Sequence, residues 1–302
     1  SPIEAELSLP QRRPARVLLA DDNSVNQFIA RQMLERLGYA PEVVGDGAAV
    51  LEAVAQHTYD VILLDIHMPE VDGVAAAQHI RGLGDAIQQP YIVALTAVSL
   101  PEERARYFVA GMDDYLSKPG HLHELRIVMD RARMHHPGFS ATPSPLADPA
   151  ARREPANRTT IRLTTDDQSS IHTALNQIEQ ALGSIVLRDA LTLFLNHTAE
   201  LIEQLIDAVG IGDAERARRL AHTLRGSSEQ LGIIQLAADC MLIENNPPDA
   251  IVDVILPQRL RAAFAAAQPT LCAFLARTDD PANKETRHAS TSWLRHAATP
   301  DR

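Results

Sequence analysis

Two sets of residues in this chain have the types and spacing to handle phosphoryl groups. The first is Asp21 and Asp22 side by side, followed along the chain by Asp65, Thr96 and Lys118. Carboxylates crowded together repel one another, and a hard divalent cation relieves the repulsion. Mg²⁺ takes a few carboxylates together with water and a phosphoryl oxygen. Lysine adds a compact positive charge, and the threonine hydroxyl adds a hydrogen bond. Such a set suits a phosphoryl group carried on Asp65, held by charge neutralisation and in-line positioning. An aspartate pair alone is also an ordinary helix cap. The order of all four elements is what argues for a site.

The second set lies in AHTLRGSSEQLG, residues 221–232. Ala217, Leu220, Ala221, Leu224, Ser228 and Leu231 follow helical spacing and are expected to face a core. Arg218, His222, Arg225, Gly226 and Glu229 then share the opposite stripe and are expected to face water. The flanking arginines disfavour an imidazolium and welcome an anion. A neutral imidazole is a nucleophile, and a phosphoryl group added to it brings negative charge that arginines stabilise. Glycine inside a helix costs about 1 kcal/mol relative to alanine. At Gly226 that cost is explained by access, because a side chain there would obstruct a docking protein.

The elements that position these residues fall into two patterns. From Arg16 to Met134 strand and helix signals alternate. VLLA (17–20), VILLD (61–65) and YIVALT (91–96) are short continuous apolar runs, as expected where helices cover both faces of a sheet. PEVVGD is more polar and suits a sheet edge. Helices such as NQFIARQMLERLG, closed by Gly38, lie between the strands. Five strand–helix pairs predict a doubly wound five-stranded parallel sheet of flavodoxin-like type. Its ligands sit at the carboxyl ends of the strands, which is where Asp21, Asp22, Asp65, Thr96 and Lys118 fall. From Asp166 to Ala276 the periodicity is helical throughout, which predicts a four-helix bundle.

Between these domains, residues 135–165 are rich in Pro, Ala and Ser and read as a flexible linker. Residues 1–15 read as another linker and 278–302 as a disordered tail. The domains are thus expected at 16–134 and 166–277, with NPPDAIVD a long joint before the last helix. The lone Trp293 falls in the tail and is read as incidental. A flexible tether of about 30 residues spans roughly 30 Å, so the two sites can meet at an effective concentration on the order of millimolar.

Residues 16–134 resemble the response-regulator receiver domain along their whole length, through VLLADDNSVNQ, DVILLDIHMPEVDG, ALTA and GMDDYLSKP. The resemblance implies that Asp65 is the phosphoacceptor. It implies Mg²⁺ bound directly by Asp22, Asp65 and the main-chain carbonyl of His67, with Asp21 acting mainly through water. Thr96 and Lys118 would contact the phosphoryl oxygens, and Tyr115 matches the aromatic switch residue that moves with Thr96. A cis peptide between Lys118 and Pro119 is expected with the family. Gly120 departs from the family pattern, which commonly has an apolar residue there. The His67 side chain is read as edging the phosphorylation site; as a metal ligand it does not match neighbours that favour an oxygen-loving ion.

Residues 187–245 resemble the histidine-containing phosphotransfer (HPt) domain, through FLNHTAELIEQL, GDAERARRLAHTLRGSSEQLG and LAADCMLIE. The resemblance implies that His222 is phosphorylated, that Arg225 stands for the more frequent lysine, and that Gly226 is the access glycine. A receiver followed by an HPt domain implies a phosphorelay. It is the order at the C-terminus of hybrid sensor histidine kinases, and a free-standing relay protein is the alternative. An upstream kinase core, in cis or in trans, and a downstream receiver are the implied partners.

Bulk properties exclude other classes. The chain has 302 residues with 45% hydrophobic residues, enough for two packed domains. A formal net charge of -11 argues against nucleic-acid binding. LGIIQLAADCMLIE could pass for a helix-turn-helix, but Asp239 and Glu244 occupy the helix that would meet DNA. Neither GxxxxGK[ST] nor GxGxxG is present, so this chain is not expected to phosphorylate itself from ATP. Two cysteines, Cys240 and Cys272, form no CxxC pair, which fits a reducing cytoplasm. No apolar run approaches the roughly 18 residues of a membrane span, so no direct membrane contact is expected. An opening Ser-Pro instead of Met fits a processed protein or a piece of a longer one, such as the cytoplasmic part of a membrane sensor.

Overall fold

The computed structural model describes residues 13–96, 101–118, 120–135, 139–140, 167–246 and 256–278. The expected linker 135–165, the tail with Trp293, the joint at NPPDAIVD and the Lys118–Pro119 peptide lie wholly or largely outside the described residues.

The first domain is built on five parallel strands: β1 (Val17–Ala20), β2 (Pro41–Val44), β3 (Val61–Asp65), β4 (Tyr91–Thr96) and β5 (Asp114–Ser117). They lie in the order β2-β1-β3-β4-β5. Every pairing is parallel, with Val17 opposite both Pro41 and Val61. The polar strand PEVV is indeed at an edge, where its residues are only partly covered. Helices α1 (Ser24–Arg36), α2 (Gly47–Gln56), α3 (Gly73–Gly82), α4 (Pro101–Val109) and α5 (Leu122–His135) return the chain between strands.

The continuous apolar strands feed two cores, because alternate side chains leave opposite faces of a sheet. Leu18, Ile62, Leu64, Ile92 and Ala94 point to the side of α2 and α3. Val17, Leu19, Val61, Leu63, Val93 and Leu95 point to the side of α1 and α5. A short parallel pair joins Arg13–Pro14 to Phe139–Ser140. Arg13 also closes on Asp60 with two side-chain hydrogen bonds of 2.7 and 2.6 Å, and the strand pair carries hydrogen-bonded backbone to both sides of residues 16–134.

The second domain is helical: α6 (Asp167–Leu182), α7 (Ser184–Gly210), α8 (Ala214–Gln230), α9 (Ile234–Asn245) and α10 (Leu256–Thr278). Helices α7 to α10 make the expected bundle and α6 adds a fifth helix against α7 and α10. Gly232, at φ +76°, ends α8 where a Cβ would lie 2.5 Å from the Ser170 carbonyl oxygen. Only glycine fits that left-handed, crowded turn.

The two domains are docked. Helix α1 packs against α6, α7 and α8. The core on the α1 side of the sheet runs without a break into the bundle. This contact aims α8, and with it His222, at the carboxyl ends of β1 and β3.

Candidate functional site

The aspartates, threonine and lysine meet because their strands are neighbours. Asp21 and Asp22 follow β1, Asp65 ends β3, Thr96 ends β4 and Lys118 follows β5. One oxygen from each of Asp21, Asp22 and Asp65 lies within 4.8 Å of the others. Lys118 Nζ stands 2.6 Å from Asp21 Oδ2 and 2.7 Å from Asp65 Oδ2. Gly73 at the head of α3 lets the chain pass close behind the site: a Cβ there would sit 2.1 Å from the Asp65 carbonyl oxygen.

Electrostatics follow from crowding in a buried place. Burial, and then Asp65, raise the Asp21 pKa against the opposing pull of Lys118. Asp22 is pushed up to about 7 by burial first and then by Asp21 and Asp65. Burial opposes the charge of Lys118, but Asp21 and Asp65 outweigh it and hold the ammonium protonated. Asp22 Oδ1 is buried with no hydrogen-bond partner among the described residues. A buried carboxylate oxygen left open beside two other carboxylates fits a hard divalent cation.

Thr96 lies buried with its Oγ1 3.0 Å from the Tyr107 hydroxyl. Tyr115, the expected switch aromatic, stacks under the Arg104 guanidinium at 4.4 Å and meets the edge of Phe108 at 6.5 Å. Gly120 faces Leu116, whose Cδ2 would be 3.2 Å from an added Cβ.

His222 comes from α8 in the other domain, and the docked face of α8 corrects one expectation. His222, Arg225 and Gly226 do not face water. Arg225 is only 7% exposed, and His222 is largely covered, because the first domain and α9 close over that stripe. Arg218 alone of the expected basic flank stays exposed. A second expectation is reversed as well. The arginines do not depress the histidine, since Arg225 Nη1 is paired at 2.8 Å with Glu244 of α9. His222 Nδ1 stands 3.5 Å from Glu244 Oε1, an ion-pair separation at the outer limit of a hydrogen bond. Burial opposes the imidazolium, but Glu244, Asp65 and Asp22 together hold the pKa above its ordinary value. Glu229 faces the same cluster, and burial raises its pKa.

Cross-domain contacts tie the sites together. Thr223 Oγ1 donates to Asp22 Oδ2 at 2.8 Å. Asn23 caps α1 with its side-chain oxygen, which accepts from Val25 N and Asn26 N. Its Nδ2 donates at 2.5 Å to the Thr223 carbonyl. An amide has one accepting and one donating end, so it can do both. An added Cβ on Gly226 would meet Asn26 Nδ2 at 3.0 Å and no other atom within 4 Å outside its own helix. The His67 ring stacks on the His222 ring with centroids 4.9 Å apart and planes inclined by 19°. A cavity of about 20 Å³ remains between the domains, lined by Asp65, Thr96 and Lys118 on one side and by His222, Arg225 and Gly226 on the other.

Tyr107, Asn23, Asn26 and Thr223 were not singled out in the sequence, and Glu244 only as a charge that argues against DNA contact. Asn23 carried a usable signal, as an N-cap residue directly after the aspartate pair.

Comparison with known proteins agrees with this geometry. Residues 17–130 match the response regulator receiver domain, and residues 189–269 match the Hpt domain. The chain therefore carries a receiver domain followed by an Hpt domain, the arrangement of phosphorelay segments in hybrid histidine kinases. The Hpt match reaches into α10, past residue 245 where the resemblance read from the sequence ends. Over 223 residues the chain is 29% identical to the sensor histidine kinase AruS of Pseudomonas aeruginosa, covering 74% of this chain and 20% of that protein. It is 29% identical over 255 residues to the sensor protein GacS of Pseudomonas syringae, covering 82% of this chain and 26% of that protein. The chain thus spans about a quarter or less of these relatives. The solved receiver domain of the sensor histidine kinase PA1611 from Pseudomonas aeruginosa is 38% identical, with a TM-score of 0.36, covering 39% of this chain and 96% of that one. That structure holds a magnesium ion in its active-site cleft.

Proposed function

We propose that this chain passes a phosphoryl group from Asp65 to His222 within one molecule and then onward to the receiver of a partner protein. The observation that carries the reading is the cavity shared by Asp65 and His222 across the domain contact. Asp65 takes the phosphoryl group from a phosphohistidine of an upstream kinase core. His222 Nδ1 faces Glu244 Oε1 at 3.5 Å, and Nε2 of the neutral ring is assigned as the nucleophilic nitrogen. The P–N bond forms at Nε2 as the P–O bond to the Asp65 carboxylate breaks. The bonding electrons of that P–O bond stay with Asp65, and the Nδ1 proton stays facing Glu244. Lys118 faces both Asp21 and Asp65 and balances the charge that passes between acyl phosphate and carboxylate. Thr96 and Arg225 line the same cavity and offer hydrogen bonds to phosphoryl oxygens.

Asp21, Asp22, Asp65 and the His67 main-chain carbonyl would hold Mg²⁺, and the open Asp22 oxygen supports the fit. When bound, that ion neutralises phosphoryl oxygens and favours in-line displacement. Tyr115 is assigned as the aromatic that follows Thr96 on phosphorylation. The domain units are residues 16–134 and 166–277. The setting is the cytoplasmic C-terminal part of a hybrid sensor histidine kinase, and none of the described helices is long and apolar enough to cross a membrane.

The test is labelling of the full chain with a small phosphodonor and Mg²⁺. Label is expected first as a base-labile acyl phosphate and then as an acid-labile phosphohistidine. Asp65→Asn is expected to abolish both, and His222→Gln to abolish the second alone. Equal labelling of the Asp65→Asn chain overturns the assignment.

A further inference from the structure

We propose that His67 is a positioning residue for phosphoryl transfer, a flat ring by which this receiver orients the histidine of its own Hpt domain. The inference deepens the relay reading above and rests on it. It starts from the one ring contact between the two domains among the described residues: the His67 and His222 imidazoles lie 4.9 Å apart and 19° from parallel. His67 is on the loop that leaves β3, two residues beyond Asp65, and its own amide is 3.3 Å from Asp65 Oδ1. The side chain is therefore set at a fixed offset from the phosphoacceptor.

His222 can turn about its Cβ–Cγ bond, and that torsion is broad for an imidazole. Transfer needs one orientation, with Nε2 in line with the P–O bond to Asp65 that breaks as the P–N bond forms. Glu244 approaches one edge of the ring, at Nδ1. An edge contact at 3.5 Å leaves the ring free to rock about its axis. A face contact removes that freedom, since a ring that rotates must leave the stack. Edge and face together define a plane and a direction. Positioning of this kind lowers a barrier by removing unproductive orientations before the reaction.

The two contacts come from different domains, and this has a consequence for selection. Glu244 belongs to the Hpt domain and holds the histidine edge whichever receiver is docked. His67 belongs to the receiver, so the ring is locked only when this receiver sits on α8. A receiver with a small or branched side chain two residues after its phosphoacceptor offers no flat surface and orients His222 less well. His67 thus favours return of the phosphoryl group between Asp65 and its own Hpt domain over entry from unrelated receivers.

The experiment uses the full chain, with Asp65 labelled from a small phosphodonor in Mg²⁺ and transfer followed by rapid quench. Each variant is paired with the same variant in a His222→Gln background, and the difference between the two decays is the transfer rate. His67→Ala is expected to slow transfer about tenfold, the scale of one lost ring contact. His67→Phe keeps a flat ring and is expected to restore most of the rate. Transfer in His67→Ala at the wild-type rate overturns the proposal, and so does a His67→Phe chain as slow as His67→Ala. Failure of the wild-type chain to form any phosphohistidine is a different result, and it sinks the relay reading itself.

Discussion

Replacing Gly226 with leucine separates the role of the docking face from that of the fold. An added Cβ at this position meets Asn26 Nδ2 of α1 at 3.0 Å and nothing in the bundle outside its own helix. Leucine extends that intrusion by three more carbons toward a receiver surface that is already packed. Overpacking of this kind costs about 1–3 kcal/mol, which lowers the docked population roughly 5- to 150-fold at about 1.4 kcal/mol per factor of ten. The helix itself gains, because glycine is about 1 kcal/mol worse than alanine in a helix interior and leucine is close to alanine. Two opposite signs are therefore expected from one substitution. Transfer from Asp65 to His222 slows by one to two orders of magnitude in single-turnover quench. Amide hydrogen exchange in α8 slows or stays the same. Gly226→Ala tests the gradation, since its single carbon needs Asn26 to yield only a few tenths of an ångström. It is expected to transfer within a few-fold of wild type. Wild-type transfer in Gly226→Leu would mean that the two domains do not react through this face. Faster exchange across α8 would mean that the residue supports the bundle and not access to it.

Three further outcomes follow from the same geometry. Asp22, pushed up to about 7, is protonated increasingly below neutrality. Protons then compete with the cation, so Mg²⁺ affinity is expected to fall as pH drops below about 7, toward tenfold per pH unit, as read by a calorimetric titration at several pH values; a flat profile from pH 8 to 6 refutes it. Glu244 raises the pKa of His222, so Glu244→Gln is expected to move the ring-proton NMR titration of His222 to lower pH, and an unchanged midpoint contradicts the pairing. Mixing Asp65→Asn chains with His222→Gln chains labelled on Asp65 removes the intramolecular route. At micromolar protein, transfer in the mixture is expected to be slower than in the wild type and to depend on dilution, because a tether supplies an effective concentration on the order of millimolar; equal, dilution-independent rates exclude relay within one chain.

Much of this molecule is legible along the chain, for a physical reason. A parallel sheet covered on both faces needs strands that are apolar at every position, so VLLA, VILLD and YIVALT announce themselves as continuous runs. A half-covered edge tolerates the glutamate of PEVV. Ligands gather at the carboxyl ends of such strands, so Asp21, Asp22, Asp65, Thr96 and Lys118 could be placed together before any coordinates. The apolar stripe of α8 was likewise a matter of period, and Ala217, Ala221, Leu224, Ser228 and Leu231 are buried as that period requires.

Period says which face of a helix is buried against its own domain, but it is silent on what else covers the other face. Arg225, read as wet, is buried because a second domain and Glu244 close over it. A polar side chain is satisfied by whichever group the fold brings within about 3 Å, and that group usually comes from a distant segment. The Glu244 partner of Arg225, the Tyr107 partner of Thr96 and the Thr223 partner of Asp22 each come from a distant helix. So does the stacking of His67 on His222, two histidines that are far apart in the chain and meet only through the docking of α1 against the bundle. The residues proposed to carry a phosphoryl group were thus legible in the sequence alone. Their orientation toward one another was decided only by tertiary packing, because distance and direction between side chains on separate elements are properties of the packed interface and not of any local pattern.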